Sequence, residues 1–181
     1  MPATRDDTGI RDGILTATVD LLIDRGLQGW TLEAVAARTP CAKGLVNYHF
    51  GSKHRLLGLV AERVRSRRVV ERGRALQEDG AKALDALWLV LTEEVRAGRF
   101  ALWLALLGHR PTATSAALTP DVLQELTGAA ATVLAVPASN PLLGTFPAML
   151  DGFQLLLLQE RPEAEVRELY DRWLLTLIEE P

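Results

Sequence analysis

At 181 residues the chain is long enough to bury a sizeable core, as one domain or two small ones. Hydrophobic residues make up 48% and fall in helical stripes, with no uninterrupted apolar run near the ~20 residues that span a bilayer, so a soluble protein without a membrane partner is expected. The single cysteine excludes an intrachain disulfide and fits a reducing cytoplasm, and the polar opening MPATRDDTGIRDG lacks the apolar centre of an export signal.

The net charge of −3 argues against nucleic acid until its distribution is read. Residues 1–78 hold 13 Lys and Arg against 9 Asp and Glu, a net of +4, whereas residues 79–181 hold 7 against 14, a net of −7. The basic half is where phosphate contacts would lie.

The first predicted helix runs from Asp6 to Arg25, with Ile10, Ile14, Leu15, Val19, Leu22 and Ile23 as its apolar stripe and Gly26 as the residue that ends it. Trp30 is expected to fill the core beneath it. Thr31 is placed to cap a second helix whose Leu32, Val35 and Ala36 share one face, and Pro40 stops that helix at Thr39. Pro40, Cys41 and Ala42 make a three- or four-residue turn into a third helix, Lys43 to Phe50, which gives the length of a helix-turn-helix. In the third helix Val46 and Phe50 pack inward. Lys43, Asn47, Tyr48 and His49 remain on the outer surface of a segment without an acidic residue. Asn reads adenine bidentately, while Tyr and His hydrogen-bond to a base edge or a phosphate oxygen. Gly51, Ser52 and Lys53, opening the next helix, offer backbone N–H groups, a hydroxyl and a cation to phosphate.

These residues carry a family resemblance. The run AKGLVNYHFGSKHRLL, preceded by GLQGWTLEAVAART, resembles the DNA-binding region of the tetracycline-repressor (TetR) family of bacterial transcriptional regulators across residues 10–60. It departs at Pro40-Cys41-Ala42, where family members often carry Gly-Val-Ser, which removes a capping Ser from the recognition helix. The reading that follows assigns Lys43, Asn47, Tyr48 and His49 to base or nearby backbone contacts, and Thr31, Gly44 and Lys53 to phosphate. Cys41 at a helix N-terminus has the position of a redox switch, but a small apolar residue in place of the family's Val is the simpler account.

The fourth predicted helix runs from Ser52 to about Glu78. Leu56, Leu57, Val60 and Val64 face inward, and its later arginines, interspersed with Glu62, Glu71 and Glu78, read as a solvated face. From Gly80 the pattern stays helical. Leu84, Leu87, Trp88, Leu91 and Val95 mark one segment, and Phe100, Trp103, Leu104 and Leu107 the next, ended by His109-Arg110-Pro111. Residues 112–117 read as a loop, and Thr119-Pro120 as a cap with Pro at the first helical position. Pro137 to Pro141 breaks that helix. Thr145–Gln159 is apolar nearly all round, and Pro162–Glu179 closes the chain, giving about nine helices and no strand.

The expected architecture is therefore all-α, with a helix-turn-helix domain at 1–54 and a helical regulatory and dimerisation domain at 55–181. The last two helices present more apolar surface than their neighbours can cover, which points to a homodimer built on Met149, Phe153, Leu157, Val166, Leu169, Tyr170, Trp173 and Leu177. Two recognition helices about one turn of DNA apart (~34 Å) would then read a palindrome in double-stranded DNA. The resemblance further implies a cavity among the middle helices for a small apolar or amphipathic ligand. Its candidate walls are Trp88, Phe100, Trp103, Leu107 and Phe153, with His109 and Gln154 as polar contacts, although aromatics at this spacing are also what a packed core looks like. The three histidines have no ligand-like spacing with Cys41, so neither a metal nor a cofactor is expected, and no catalytic motif appears. The expected function is a cytoplasmic, sequence-specific repressor released by a small molecule. The alternative is a helical interaction module of the same fold without a specific operator.

Overall fold

The computed structural model describes residues 5–39, 43–107 and 120–179, and among these every regular element is helical. The expectations placed on Pro40, Cys41 and Ala42, on His109 to Pro111, on the loop 112–117 and on the Thr119 cap lie outside the described residues. The chain divides into two compact units. One takes residues 1–66 and 101–115, the other 67–100 and 116–181.

The first unit is built on α1 (Arg5–Arg25), α2 (Leu32–Ala37) and α3 (Lys43–Phe50), with α4 (Lys53–Ala75) up to Ser66. Its core joins Ile14, Leu21 and Leu22 of α1, Trp30, Val35 of α2, Val46 and Phe50 of α3, and Leu56, Val60 and Val64 of α4. Leu102 and Leu106 of α6 (Arg99–Leu106) pack into the same cluster. Chain order alone assigns those residues to the other domain, so the compact unit does not coincide with 1–54. Two backbone constraints shape the connection after α1. Gly26 sits at φ +68°, and a Cβ at Gly29 would lie 2.6 Å from the Arg25 carbonyl oxygen.

The second unit combines the remainder of α4 with α5 (Ala81–Arg96), α7 (Pro120–Leu134), a 3₁₀ turn (Pro141–Thr145), α8 (Phe146–Leu158) and α9 (Glu163–Glu179). α8 packs against α5, α7 and α9. The 3₁₀ turn is absent from the sequence reading, which has an unstructured break there. Asn140 organises it, accepting at Oδ1 from the Leu142 N–H at 2.9 Å and donating from Nδ2 to the Leu177 carbonyl at 3.0 Å. The stretch Pro141–Leu158 has a mean hydropathy of 1.3, long and apolar enough on length and composition to cross a membrane. As folded it is a turn plus thirteen helical residues, so the helix spans only about 20 Å where a bilayer core needs about 30 Å.

The later arginines of α4 correct the sequence reading. Arg68 and Arg72, expected on a solvated face, are each only 5% exposed. Gln154 of α8 ties them to α5. Its Oε1 accepts from Arg68 at 3.1 Å and from Arg72 at 2.8 Å, while its Nε2 donates to Glu94 Oε2 at 2.6 Å and to the Leu91 carbonyl at 3.0 Å. Asp151 Oδ1 accepts from both guanidinium groups, at 2.7 and 2.8 Å, and Glu94 lies 3.2 Å from Arg68. Burial pulls the Arg68 pKa down to about 10, with the Arg72 charge adding to the shift and Glu94 and Asp151 opposing it. Two cations and two carboxylates thus balance inside the unit. Glu94→Ala leaves two buried guanidiniums facing one carboxylate, and a loss of about 3–5 kcal/mol of stability is expected, read as a lower urea midpoint.

Candidate nucleic-acid interface

The outward face of α3 follows from how its inward face is held. Thr31 caps α2, its Oγ1 accepting from the Ala34 N–H at 3.1 Å. Arg38 at the end of α2 donates to Asp24 of α1 at 2.7 Å, so α2 is fixed at both ends. Val46 and Phe50, four residues apart, are buried against this frame. The remaining faces of α3 therefore turn outward. Asn47 and Tyr48 are exposed, Tyr48 to 79% of its surface, while His49 is half-buried with its ring edge-on to Tyr48 at 5.3 Å. The first turn of α3 contains no acidic residue. A Cβ at Gly44 would meet nothing within 4 Å, so a flat ligand backbone can come close there.

Gly51 ends α3 at φ +72°, its N–H donating to the Asn47 carbonyl at 2.7 Å. Ser52 then caps α4, accepting at Oγ from the Arg55 N–H at 3.1 Å. Gly51, Ser52, Lys53, His54 and Arg55 are all exposed, which continues the polar strip from α3 into the positive end of the α4 dipole.

Of the sequence-predicted contacts, Thr31, Gly44, Asn47, Tyr48 and Lys53 are exposed and His49 partly so, and the Lys43 side chain lies outside the described residues. Lys53 is partly occupied. Its Nζ donates to the Trp30 carbonyl at 2.8 Å and lies 4.5 Å from the centre of the Trp30 ring, so it braces the core as well as carrying charge. Arg55, which sequence reasoning passed over, is exposed beside it. Its signal was available, as the next cation in the first turn after a capping Ser.

The pocket candidates separate. Trp88, Phe100, Phe153 and Gln154 belong to the C-terminal unit, whereas Trp103 packs on the N-terminal core and Leu107 is exposed in that same unit; His109 lies outside the described residues. Trp88, tilted, and Phe153, edge-on, both pack against Tyr170 with ring centres 5.3 and 5.5 Å away, as core aromatics. Gln154 corrects the sequence reading most sharply. Both amide hydrogens and the carbonyl oxygen are spent on the buried network, which leaves nothing for a ligand. The dimer candidates divide as well. Phe153, Val166, Tyr170 and Leu177 fill the chain's own core, Met149, Leu157 and Trp173 are half-buried, and Leu169 is exposed. The apolar excess lies at Leu155, Leu158, Leu175 and Ile178, together with Leu169.

Residues 14–60, from the middle of α1 through α2 and α3 into α4, match the model of the bacterial regulatory proteins of the tetR family. Over this stretch the chain is similar to the DNA-binding region of the TetR-family regulators. An HTH-type transcriptional repressor of Mycobacterium tuberculosis is 37% identical over 62 residues, which cover 34% of this chain and 32% of that protein, and a transcriptional regulator of Mycobacterium bovis matches equally. The matched region thus spans about a third of the length of these curated relatives. The TetR likeness of the whole chain is one of fold. A protein from Rhodococcus sp. assigned to the TetR-family transcriptional regulators superposes with a TM-score of 0.68 at 21% identity, over 94% of this chain and 99% of its own. The multidrug binding protein EbrR, in complex with imidazole, does so with a TM-score of 0.58 at 27% identity, over 94% and 96%.

Gly51→Ala is expected to cost about 1–2 kcal/mol, because the left-handed backbone admits a Cβ only under strain. Gly44→Ala, free of strain and of clash, should leave the thermal midpoint unchanged or slightly raised. Equal midpoints for the two variants would contradict the turn geometry.

Proposed function

We propose that the chain is a homodimeric, sequence-specific DNA-binding transcriptional regulator of the cytoplasm, a repressor whose hold on a palindromic operator is released by a small molecule. The carrying observation is an acid-free α3 that buries Val46 and Phe50 and leaves Asn47 and Tyr48 in solvent. Side chains able to read base edges sit beside exposed Ser52, His54 and Arg55, which suit phosphate. The M. tuberculosis relative's description as a repressor supports the direction of regulation, and EbrR's as a multidrug binding protein supports a small-molecule signal.

One α3 contacts too few base pairs to select a site in a genome, so a second copy is required. The exposed leucines and isoleucine of α8 and α9, with Leu175 at 55% exposure, are the surface available to it.

Selection of bound sequences from a random duplex pool is expected to enrich an inverted repeat. On that repeat, Asn47→Ala and Tyr48→Ala should each lose about 1–3 kcal/mol of affinity and relax preference at particular positions, and Arg55→Gln should weaken all sequences alike with a shallower salt dependence. Gly44→Ala should bind DNA less well despite its intact fold. Weak binding indifferent to sequence would instead favour an interaction module. Leu175→Glu should convert a dimer to monomers in sedimentation velocity without loss of helicity; a species that remains dimeric sinks the interface.

A further inference from the structure

The C-terminal unit has an open cleft of about 700 Å³, within the range that drug-sized ligands occupy, lined from the second part of α4, from α5 and from Arg99 at the start of α6. We propose that this cleft binds an amphipathic organic anion, with Arg99 gripping its carboxylate and Ala86, Leu89 and Val90 carrying its apolar body. The proposal rests on the ligand-responsive reading above and gives it a site away from Trp88, Phe153 and Gln154.

Arg99 and Glu71 are the cleft's sheltered charges. The Arg99 side chain is 20% exposed, its Nε is buried without an acceptor among the described residues, and its Nη2 lies 3.9 Å from Glu71, too far for a hydrogen bond. Glu71 is already engaged, accepting from Arg67 Nε at 2.7 Å. A carboxylate from a ligand would supply acceptors to the Nη groups, the part of the guanidinium that reaches solvent.

The cleft also carries the carboxylates Glu78 and Glu93, and Arg74 and Arg96 oppose them. All four are exposed, and Arg96 is held by Glu163 at 2.6 Å, so solvent screens this outer set. The half-shielded guanidinium therefore decides the sign of the preferred ligand. Leu89 supplies the second half of the recognition. It is 63% exposed among charged neighbours, an apolar side chain lying outside the unit's core.

Calorimetric titration of the full chain, without DNA, with decanoate, decanol and decyltrimethylammonium tests the site. Decanoate is expected to bind more tightly than either analogue, and Arg99→Gln to weaken decanoate by about ten- to a hundredfold with decanol unaffected. Arg99→Lys should restore part of the loss, and Arg172→Gln on the exposed side of α9 should match the parent chain. Unchanged decanoate affinity in a folded Arg99→Gln variant, or tighter binding of the cationic amphiphile, overturns the proposal. Should Arg99→Gln fail to fold, Leu89→Gln decides, since its exposed position leaves the core intact. Weakened binding of decanoate and decanol alike sustains the site, and unchanged binding refutes it. Failure here alongside a selected inverted repeat leaves the regulator reading standing, whereas decanoate binding without any selected repeat removes the regulator and keeps the site.

Discussion

The rotation of one eight-residue helix about its own axis governs what the N-terminal unit can do. Val46 and Phe50 are buried against α1, α2 and Trp30, and with a period of 3.6 residues no other setting of α3 hides both. Asn47 and Tyr48 are outward because the two apolar residues are inward. The supporting frame consists of a capped α2, the Arg38–Asp24 pair, and two glycines that bring the chain sharply into α2 and out of α3. A helix so short has little stability of its own, so its orientation is borrowed entirely from packing.

The C-terminal unit is organised by opposite means. Its aromatic cluster of Trp88, Phe146, Phe153, Tyr170 and Trp173 supplies burial, while the Gln154 amide gathers charges from α4 and α5 at one point of α8. Apolar packing tolerates small slips in register. A side-chain amide that must meet two guanidiniums, a carboxylate and a backbone carbonyl does not. The network thus defines the arrangement of these helices more narrowly than the apolar contacts around it.

The sequence was most legible where period and punctuation agreed. The Lys43–Phe50 helix has the bounds read from the chain, and Gly26 and the Pro137–Pro141 break mark real ends. It was least legible wherever a polar residue was buried. Arg68 and Arg72 look like solvated arginines because their partners, Glu94, Asp151 and Gln154, lie 22 to 86 positions away in the chain. The same blindness affected the apolar residues of α8 and α9. Their stripes announce that something is covered, yet Tyr170 and Leu177 serve the chain's own core while Leu175 and Ile178 remain outside, a distinction of a single step along the helix. The sequence offers Lys53 only as a cation suited to phosphate, because no local pattern announces that its ammonium reaches back to the Trp30 carbonyl.

The hydrogen-bond network at Gln154 restricts how this protein can change. Its amide has no spare valence and its two guanidiniums are matched by two carboxylates, so a replacement at any one of the five positions strands a neighbour in a medium unable to solvate it. Single replacements there cost stability even where they conserve volume, whereas exchange of a surrounding leucine for another apolar residue of like size does not.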